Sequence, residues 1–214
     1  LRNYQGELSI LGKAGSAWNQ ELYYHIGVGF ELPNHFTKLT GLENLELFSA
    51  FYGSGSRSGS AMSPLRLLER VGLSDAANQR VGEYSKGMKM RLNFARALLN
   101  DPAILFLDEP TAGLDPVTAR QVKNIILELR AQGKTVFLTT HNMHDATELC
   151  DRVGFIVAGE LRLTGTPATL QRKYGEDTVR VTTRDAADTS ATTTHDFALA
   201  GLGSNADFLR LIRE

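Results

Sequence analysis

The sequence lacks what a secreted or membrane-spanning chain usually shows. Only one of its 214 residues is cysteine, Cys150, so no internal disulfide framework is possible and a reducing compartment is expected. Its longest apolar runs are about six residues, against the roughly 20 that a bilayer-spanning helix needs. An excess of either charge is also missing: 23 Lys and Arg offset 24 Asp and Glu, for a net charge of −1. That balance gives no overall field for nucleic acid, although it leaves a local basic patch open. The chain opens on Leu1 rather than on Met, so a fragment or a processed product is expected. What remains is an ordinary apolar content at a length that suits one α/β domain with a small appendage.

Residues 7–11 (ELSIL) predict a strand closed by Gly12, and residues 25–30 (HIGVGF) a second, weakened by its two glycines. Pro33-Asn34 marks a turn. Leu42, Leu45, Phe48 and Tyr52 fall at helical spacing, with Leu47 and Phe51 widening the stripe. Residues 53–63 are Gly/Ser-rich and predict a flexible loop. Pro64 then opens a helix through Leu65, Leu68 and Val71, ended by Gly72. After Ser85 a helix carries Met88, Leu92, Ala95, Leu98 and Leu99 on one side, leaving Arg91 and Arg96 to solvent or an interface. Residues 103–107 are unbroken apolar, the pattern of a strand covered on both faces. Pro116 opens a helix with Val122, Ile125, Ile126 and Leu129 on one face, stopped by Gly133. Residues 135–139 predict another buried strand, and 143–151 a short acidic helix. Residues 153–157 and 160–163 read as a hairpin about Ala158-Gly159. A helix over 167–174, a strand over 178–182, a polar loop over 183–195 and a helix over 208–212 complete the chain.

Alternation of strand and helix from 103 to 157 predicts a parallel sheet with covering helices. Ligands of such sheets bind beyond the carboxyl ends of the strands, where Asp108, Glu109 and His141 all fall. Asp108 suits a hard cation such as Mg2+, held directly or through water. Glu109 can polarise a water lined up on a phosphate. Taken alone, the pair equally fits a solvated strand end or a cap for the next helix. The apolar run before it and Pro-Thr-x-Gly-Leu-Asp after it favour the metal and phosphate reading. His141 suits a phosphate contact or a grip on the attacking water. It also fits a strand end satisfied by backbone or, with His144, a two-histidine metal site lacking a third ligand. Asp145 and Glu148 are expected to serve the helix terminus. Ser85 fits either a plain N-cap or a cap whose neighbouring N–H groups favour an anion.

Together these motifs resemble the nucleotide-binding subunit of an ABC transporter. ILFLDEP resembles the Walker B strand with its glutamate, and YSKGM the signature loop usually written LSGGQ. AGLD resembles the D-loop, and TTH the switch histidine. Order and spacing agree over residues 26 to 175, and the subgroup most resembled is bacterial exporters of drugs, lipids or polysaccharides. The resemblance implies an α/β, P-loop NTPase-like ABC ATPase fold with a parallel-sheet core, N-terminally incomplete. It lays the chain out as ATPase core with the Q-loop over 1–40, helical subdomain over 41–84, signature helix and catalytic core over 85–175, and C-terminal extension over 176–214. ATP and Mg2+ are the implied cofactors. Asp108 serves the metal, Glu109 activates water and His141 senses the γ-phosphate. Ser85 and Gly87 contact the γ-phosphate of ATP held by the opposite subunit, with Lys86 and Met88 beside them, and Asp115 communicates across the dimer. The implied partners are a transmembrane permease subunit, touched by residues 41–84, and a second ATPase subunit, with no nucleic acid. The implied location is peripheral, on the cytoplasmic face of the membrane, with ATP hydrolysis powering export.

The sequence departs from the family pattern in three places. Lys86 and Met88 replace the first glycine and the glutamine of the signature, as subgroup variation. Glu31, in FELPNHF, stands where the Q-loop glutamine is expected; it can still hold Mg2+ and water but changes the charge. No Gly-x-x-x-x-Gly-Lys-Ser/Thr loop occurs: the run from Gly6 to Lys13 is one residue too long, and Ala14 stands in the place of the hydroxyl. That segment resembles instead the strand pair following the Walker helix, so the chain is expected to begin just past the phosphate cradle. ATPase activity is accordingly expected of the full-length protein, and little or none of these 214 residues alone. The alternative is a non-hydrolysing, truncated or degenerate relative acting as a docking module. An ABC-type ATPase working on DNA or ribosomes is disfavoured, since neither coiled-coil insertions nor tandem domains are seen.

Overall fold

The computed structural model describes residues 5–32, 34–52, 62–175, 178–184, 192–198 and 205–211. The chain folds as two compact units, Leu1–Asp145 and Ala146–Glu214. The first opens with β1 (Ser9–Ile10) and β2 (Lys13–Ala14), an antiparallel pair. Their two-residue turn, Leu11-Gly12, has φ of 50° and 77°, the left-handed geometry that matches the twist of paired strands. The strand expected over 7–11 therefore folds back on itself at Leu11. Pro33 of the turn expected at Pro33-Asn34, and most of the 53–63 loop, lie outside the described residues.

The main sheet is parallel, with order β3 (Ile26–Gly29), β4 (Ile104–Asp108), β5 (Thr135–Thr139). Helix α1 (Gly41–Tyr52) is started by a reciprocal cap: Thr40 N donates to Glu43 Oε2 at 2.8 Å and Glu43 N to Thr40 Oγ1 at 3.2 Å. Helix α2 (Pro64–Arg70) carries Pro64 in its first turn after the Ser63 cap. Helix α3 (Lys86–Ala97) lies against β3 and helix α4 (Pro116–Ala131) against β5. Helix α4 buries Val122, Ile125, Ile126 and Leu129, the stripe read from the sequence.

Helix α3 differs from its sequence reading. It buries Met90, Leu92, Asn93, Phe94, Ala95 and Ala97, so it is enclosed on most sides and Met90, not Met88, faces the core. Arg91 and Arg96 are half-buried and structural. Arg91 donates to the carbonyls of Val71 and Gly72, at 3.1 and 2.7 Å. Arg96 donates to the Asn34 carbonyl at 2.7 Å and lies over the Phe48 ring. Such carbonyls at a helix end or in a loop have no backbone partner, and a guanidinium supplies several donors at once.

Gly27 of β3 allows α3 to approach closely, and Gly29 makes room for a side chain of β4. A Cβ at Gly27 would come within 2.0 Å of the Ala97 carbonyl oxygen, and one at Gly29 within 3.2 Å of Leu107 Cδ2. Side chains below α3 hold the sheet in place as well. Asn100 Nδ2 donates to the carbonyls of Tyr24 and Tyr23 at 3.0 and 3.1 Å, and Lys134 Nζ binds Asp101 Oδ1 at 2.5 Å and the Pro102 carbonyl at 2.9 Å.

The expectation that β4 is covered on both faces does not hold. Leu105 and Leu107 are buried, but the opposite face presents Val28, Phe106 and Phe137 in one row, 37%, 39% and 60% exposed. An apolar run fixes a strand's composition, not what lies against it, and no layer covers that row among the described residues.

Helix α5 (Met143–Leu149) contains the division between the units and is shorter than expected. In the second unit, β6 (Val153–Val157) pairs with β7 (Glu160–Gly165) around Ala158-Gly159, whose φ values are 51° and 80°. Helix α6 (Pro167–Tyr174) follows, capped by Thr166. Strands β8 (Thr178–Arg184) and β9 (Thr192–Ala198) then pair antiparallel. Much of the loop expected over 183–195 is therefore strand, and its residues 185–191 lie outside the described ones. Helix α7 (Ala206–Leu211) stands where the last helix was predicted, with Ile212 outside the described residues. Among the described residues no helix is long and apolar enough to cross a membrane.

Since the clash at Gly27 is with backbone, Gly27→Ala is expected to destabilise the fold by about 3 kcal/mol through overpacking. Urea denaturation of the two proteins side by side measures it.

Candidate functional site

The parallel register sets Asp108 opposite Thr139 at the carboxyl ends of β4 and β5. The Thr139 hydroxyl donates to Asp108 Oδ1 at 2.5 Å. One residue on, the Glu109 N–H donates to the Thr139 carbonyl at 3.1 Å. Glu109 itself has φ of 47°, a left-handed backbone uncommon outside glycine and typical of functional sites. Its carboxylate reaches across to β5's exit. Glu109 Oε1 accepts from the His141 N–H at 2.9 Å and from His141 Nδ1 at 2.8 Å. A carboxylate only accepts, so Nδ1 carries the proton in this pair. The Glu109 side chain is 17% exposed and that of His141 83%. The hydrogen bond that His141 donates to Glu109, then the Glu109 charge, raises the His141 pKa above the ordinary 6.5, with Glu31 adding in the same direction.

The structure thus brings Asp108, Glu109 and His141 together, as the strand ends predicted. His141 is held by a carboxylate rather than by the backbone alone. Asp108, which is exposed, and the half-buried Glu109 offer hard oxygen donors, which suits a divalent cation better than the two-histidine arrangement.

A second group forms at the start of α3. Ser85 caps the helix by accepting from Met88 N at 3.2 Å. Lys86 and Gly87 lie against the loop leading to α4: a Cβ on Gly113 would stand 2.7 Å from Lys86 Nζ, and one on Gly87 3.6 Å from Leu114 Cδ2. Asp115 ends that loop and caps α4, its Oδ1 accepting from the N–H groups of Val117 and Thr118 at 3.1 and 3.0 Å. The Thr118 side-chain hydrogen bond, followed by the backbone ones, lowers its pKa.

Two features escape the sequence pattern. Thr139 is one; it becomes predictable only when the register is known. Asp145 is the other. The sequence assigns it to the helix terminus, but Asn142 serves there, accepting from His144 N at 3.0 Å. Asp145 is instead buried and bonded to Thr111 and Lys123. Burial pushes its carboxyl up, but the hydrogen bonds from Lys123 and Thr111, with the Lys123 and His144 charges, outweigh this and hold it below the ordinary value.

Beside β3 and α1 lies an open cleft of about 570 Å³ whose lining includes Phe30, His35, Phe36, Phe48, Tyr52 and Arg96. Burial, opposed in part by a bond to the Lys89 carbonyl, pushes the His35 pKa down to about 4, so this lining histidine is neutral near pH 7.

A family model described as ABC transporter matches residues 1–112. The chain is 47% identical, over its whole length, to 68% of a fluoroquinolones export ATP-binding protein of Mycobacterium tuberculosis. It is 40% identical over 169 residues, 79% of this chain and 55% of the relative, to a Nod factor export ATP-binding protein I of Rhizobium sp.. Among solved structures it resembles a dimeric ATP-binding cassette in a post-hydrolysis state with ADP and Pi. That likeness has a TM-score of 0.65 and 29% identity, over 76% of this chain and 74% of the other.

The Glu109–His141 bond gives a direct pH signature. A raised histidine pKa means the charged pair is fully formed below the ordinary value and is lost as pH rises through the raised one. NMR titration is expected to place the His141 midpoint above 6.5 and to return it towards that value in Glu109→Gln.

Proposed function

The chain belongs to the ABC transporter family, and on that premise we propose that it is the ATP-binding, ATP-hydrolysing subunit that drives an exporter. The observation that carries this reading is the Glu109–His141 pair beside Asp108, three polar groups on two adjacent parallel strand ends. The names of its relatives, export ATP-binding proteins, point the same way.

In this reading Glu109 orients and deprotonates the attacking water. His141 holds the Glu109 carboxylate and faces the γ-phosphate. Asp108, its Oδ1 oriented by Thr139, would hold Mg2+, with Glu31 assigned to the same ion. The charge of a cation held there would supply neutralisation of the negative charge that develops on the phosphate. Glu109 Oε1 is committed to His141, so Oε2 is the oxygen assigned to the water. Ser85, Lys86, Gly87 and Met88 form an edge with Asp115 that is assigned to ATP bound by a second ATPase subunit. Lys86 beside an anion is favourable, so its replacement of glycine is no sign of inactivity. The cradle for the β- and γ-phosphates, absent as a motif from these residues, is assigned to the whole protein outside them.

Residues 41–84 are assigned to the helical subdomain, and the aromatic cleft at α1 to contact with a transmembrane permease subunit. Cargo recognition falls to that permease. The protein then works as a peripheral subunit on the cytoplasmic face of the membrane.

The whole protein, with its phosphate cradle, is expected to hydrolyse ATP. Glu109→Gln should lower kcat by at least about 100-fold, the usual contribution of a positioned base. The 214 residues alone are expected to show little turnover. A phosphate-release assay on the three proteins decides it, and an unchanged rate in Glu109→Gln would refute the assignment.

A further inference from the structure

Two polar contacts, not one, tie the segment leaving β4 to the segment leaving β5. At the site, Glu109 holds His141. Behind it, the Thr111 hydroxyl donates to Asp145 Oδ2 at 2.6 Å, two residues on from Glu109 and four on from His141. Asp145 is 3% exposed. Its other oxygen pairs with the Lys123 ammonium, which comes from α4 and is itself nearly buried.

These contacts close a ring. From Glu109 the chain turns through residues 110–115, with Ala112 N bonded to the Glu109 carbonyl at 3.1 Å and Leu114 N to the Thr111 carbonyl at 3.3 Å. Asp115 then caps α4, α4 carries Lys123, Lys123 pairs with Asp145, and the chain leads back through Asn142 to His141. The arc from Glu109 to Asp115 starts at its strained point, because Glu109, not a glycine, holds φ of 47°. Backbone in that region persists only where its surroundings hold it. A buried, paired carboxylate is a rigid anchor, since separating it from its partner leaves a charge unsatisfied.

We infer that Asp145 is a positioning residue for ATP hydrolysis: through Thr111 it fixes the loop that follows Glu109, and with it the direction of the Glu109 carboxylate. This rests on the hydrolytic reading given above. Asp145 touches no reacting atom. It acts on Glu109 from one side of the loop while His141 acts from the other. The Thr111 hydroxyl is the detachable part of the device, being partly exposed and joined to the anchor by a single hydrogen bond.

The test uses the whole protein with its phosphate cradle. Thr111→Val removes the hydroxyl at nearly constant volume and is expected to fold, which thermal melting checks. Its kcat is expected to fall about tenfold, as for a small misplacement of a catalytic group, while KM for ATP stays within about twofold. Thr111→Ser, which keeps the hydroxyl, is expected to restore most of the rate. In an Asp145→Asn background Thr111→Val is expected to add little, since the two act as one unit. Should Asp145→Asn not fold, the Val and Ser variants decide the matter alone. An unchanged kcat in Thr111→Val, or equal losses in the Val and Ser variants, overturns the inference. Glu109→Gln is measured alongside. If it is inactive while Thr111→Val is fully active, only the role of Asp145 fails; if its rate is untouched, the hydrolytic reading itself fails.

Discussion

The pairing of β4 with β5, Asp108 against Thr139, is the constraint on which the site depends. One step of register would carry every side chain to the opposite face of the sheet. In the observed register the Thr139 hydroxyl meets Asp108, its carbonyl receives the Glu109 N–H, and the chain turns into left-handed backbone at Glu109. That turn lets a side chain at the end of one strand reach both the N–H and the ring of His141 at the end of the next. The register is itself held at the opposite ends of the strands, where Lys134 of the β5 entrance binds Asp101 and Pro102 before β4.

The site also divides its groups by environment. Asp145 is buried, charged and paired with Lys123. His141 is exposed, and its proton is held by the neighbouring Glu109. A fixed anchor behind the loop and a titratable group in front of it suit a reading in which Glu109 must be aimed reproducibly yet respond to what binds. The other edge, with Lys86 lying over Gly113, meets the same loop from the side of α3. Residues 111–115 are thus common ground for both proposed half-sites.

What the sequence reveals depends on whether one element suffices to define the feature. Helix α4 is legible because one apolar stripe is buried and most of the rest is at least partly exposed. Helix α3 is not, because it is enclosed on most sides and shows no clean stripe; its pattern selects Met88 over Met90 and assigns two structural arginines to solvent or an interface. Gly27 and Gly29 read as weak points of a strand; their reasons lie in Ala97 of α3 and Leu107 of β4, about 70 to 80 residues away, and are invisible to local pattern. The bare row of Val28, Phe106 and Phe137 is the same lesson from the other side of the sheet. Asp108, Glu109 and His141 stand out because each ends an apolar run. Thr139 and Asp145 do not. Thr139 needs the register, and Asp145 resembles any acidic residue in a first helical turn until Lys123 and Thr111 are folded against it.

The central claim is that Glu109 and His141 work as one unit. Its most direct test is a double-variant cycle in single-turnover ATP hydrolysis by the whole protein, with Glu109→Gln, His141→Ala and the pair together. The account predicts that the double variant is about as slow as the slower single one, since residues acting as a unit are strongly non-additive. Rate losses that multiply would show that the two side chains act independently and would contradict it.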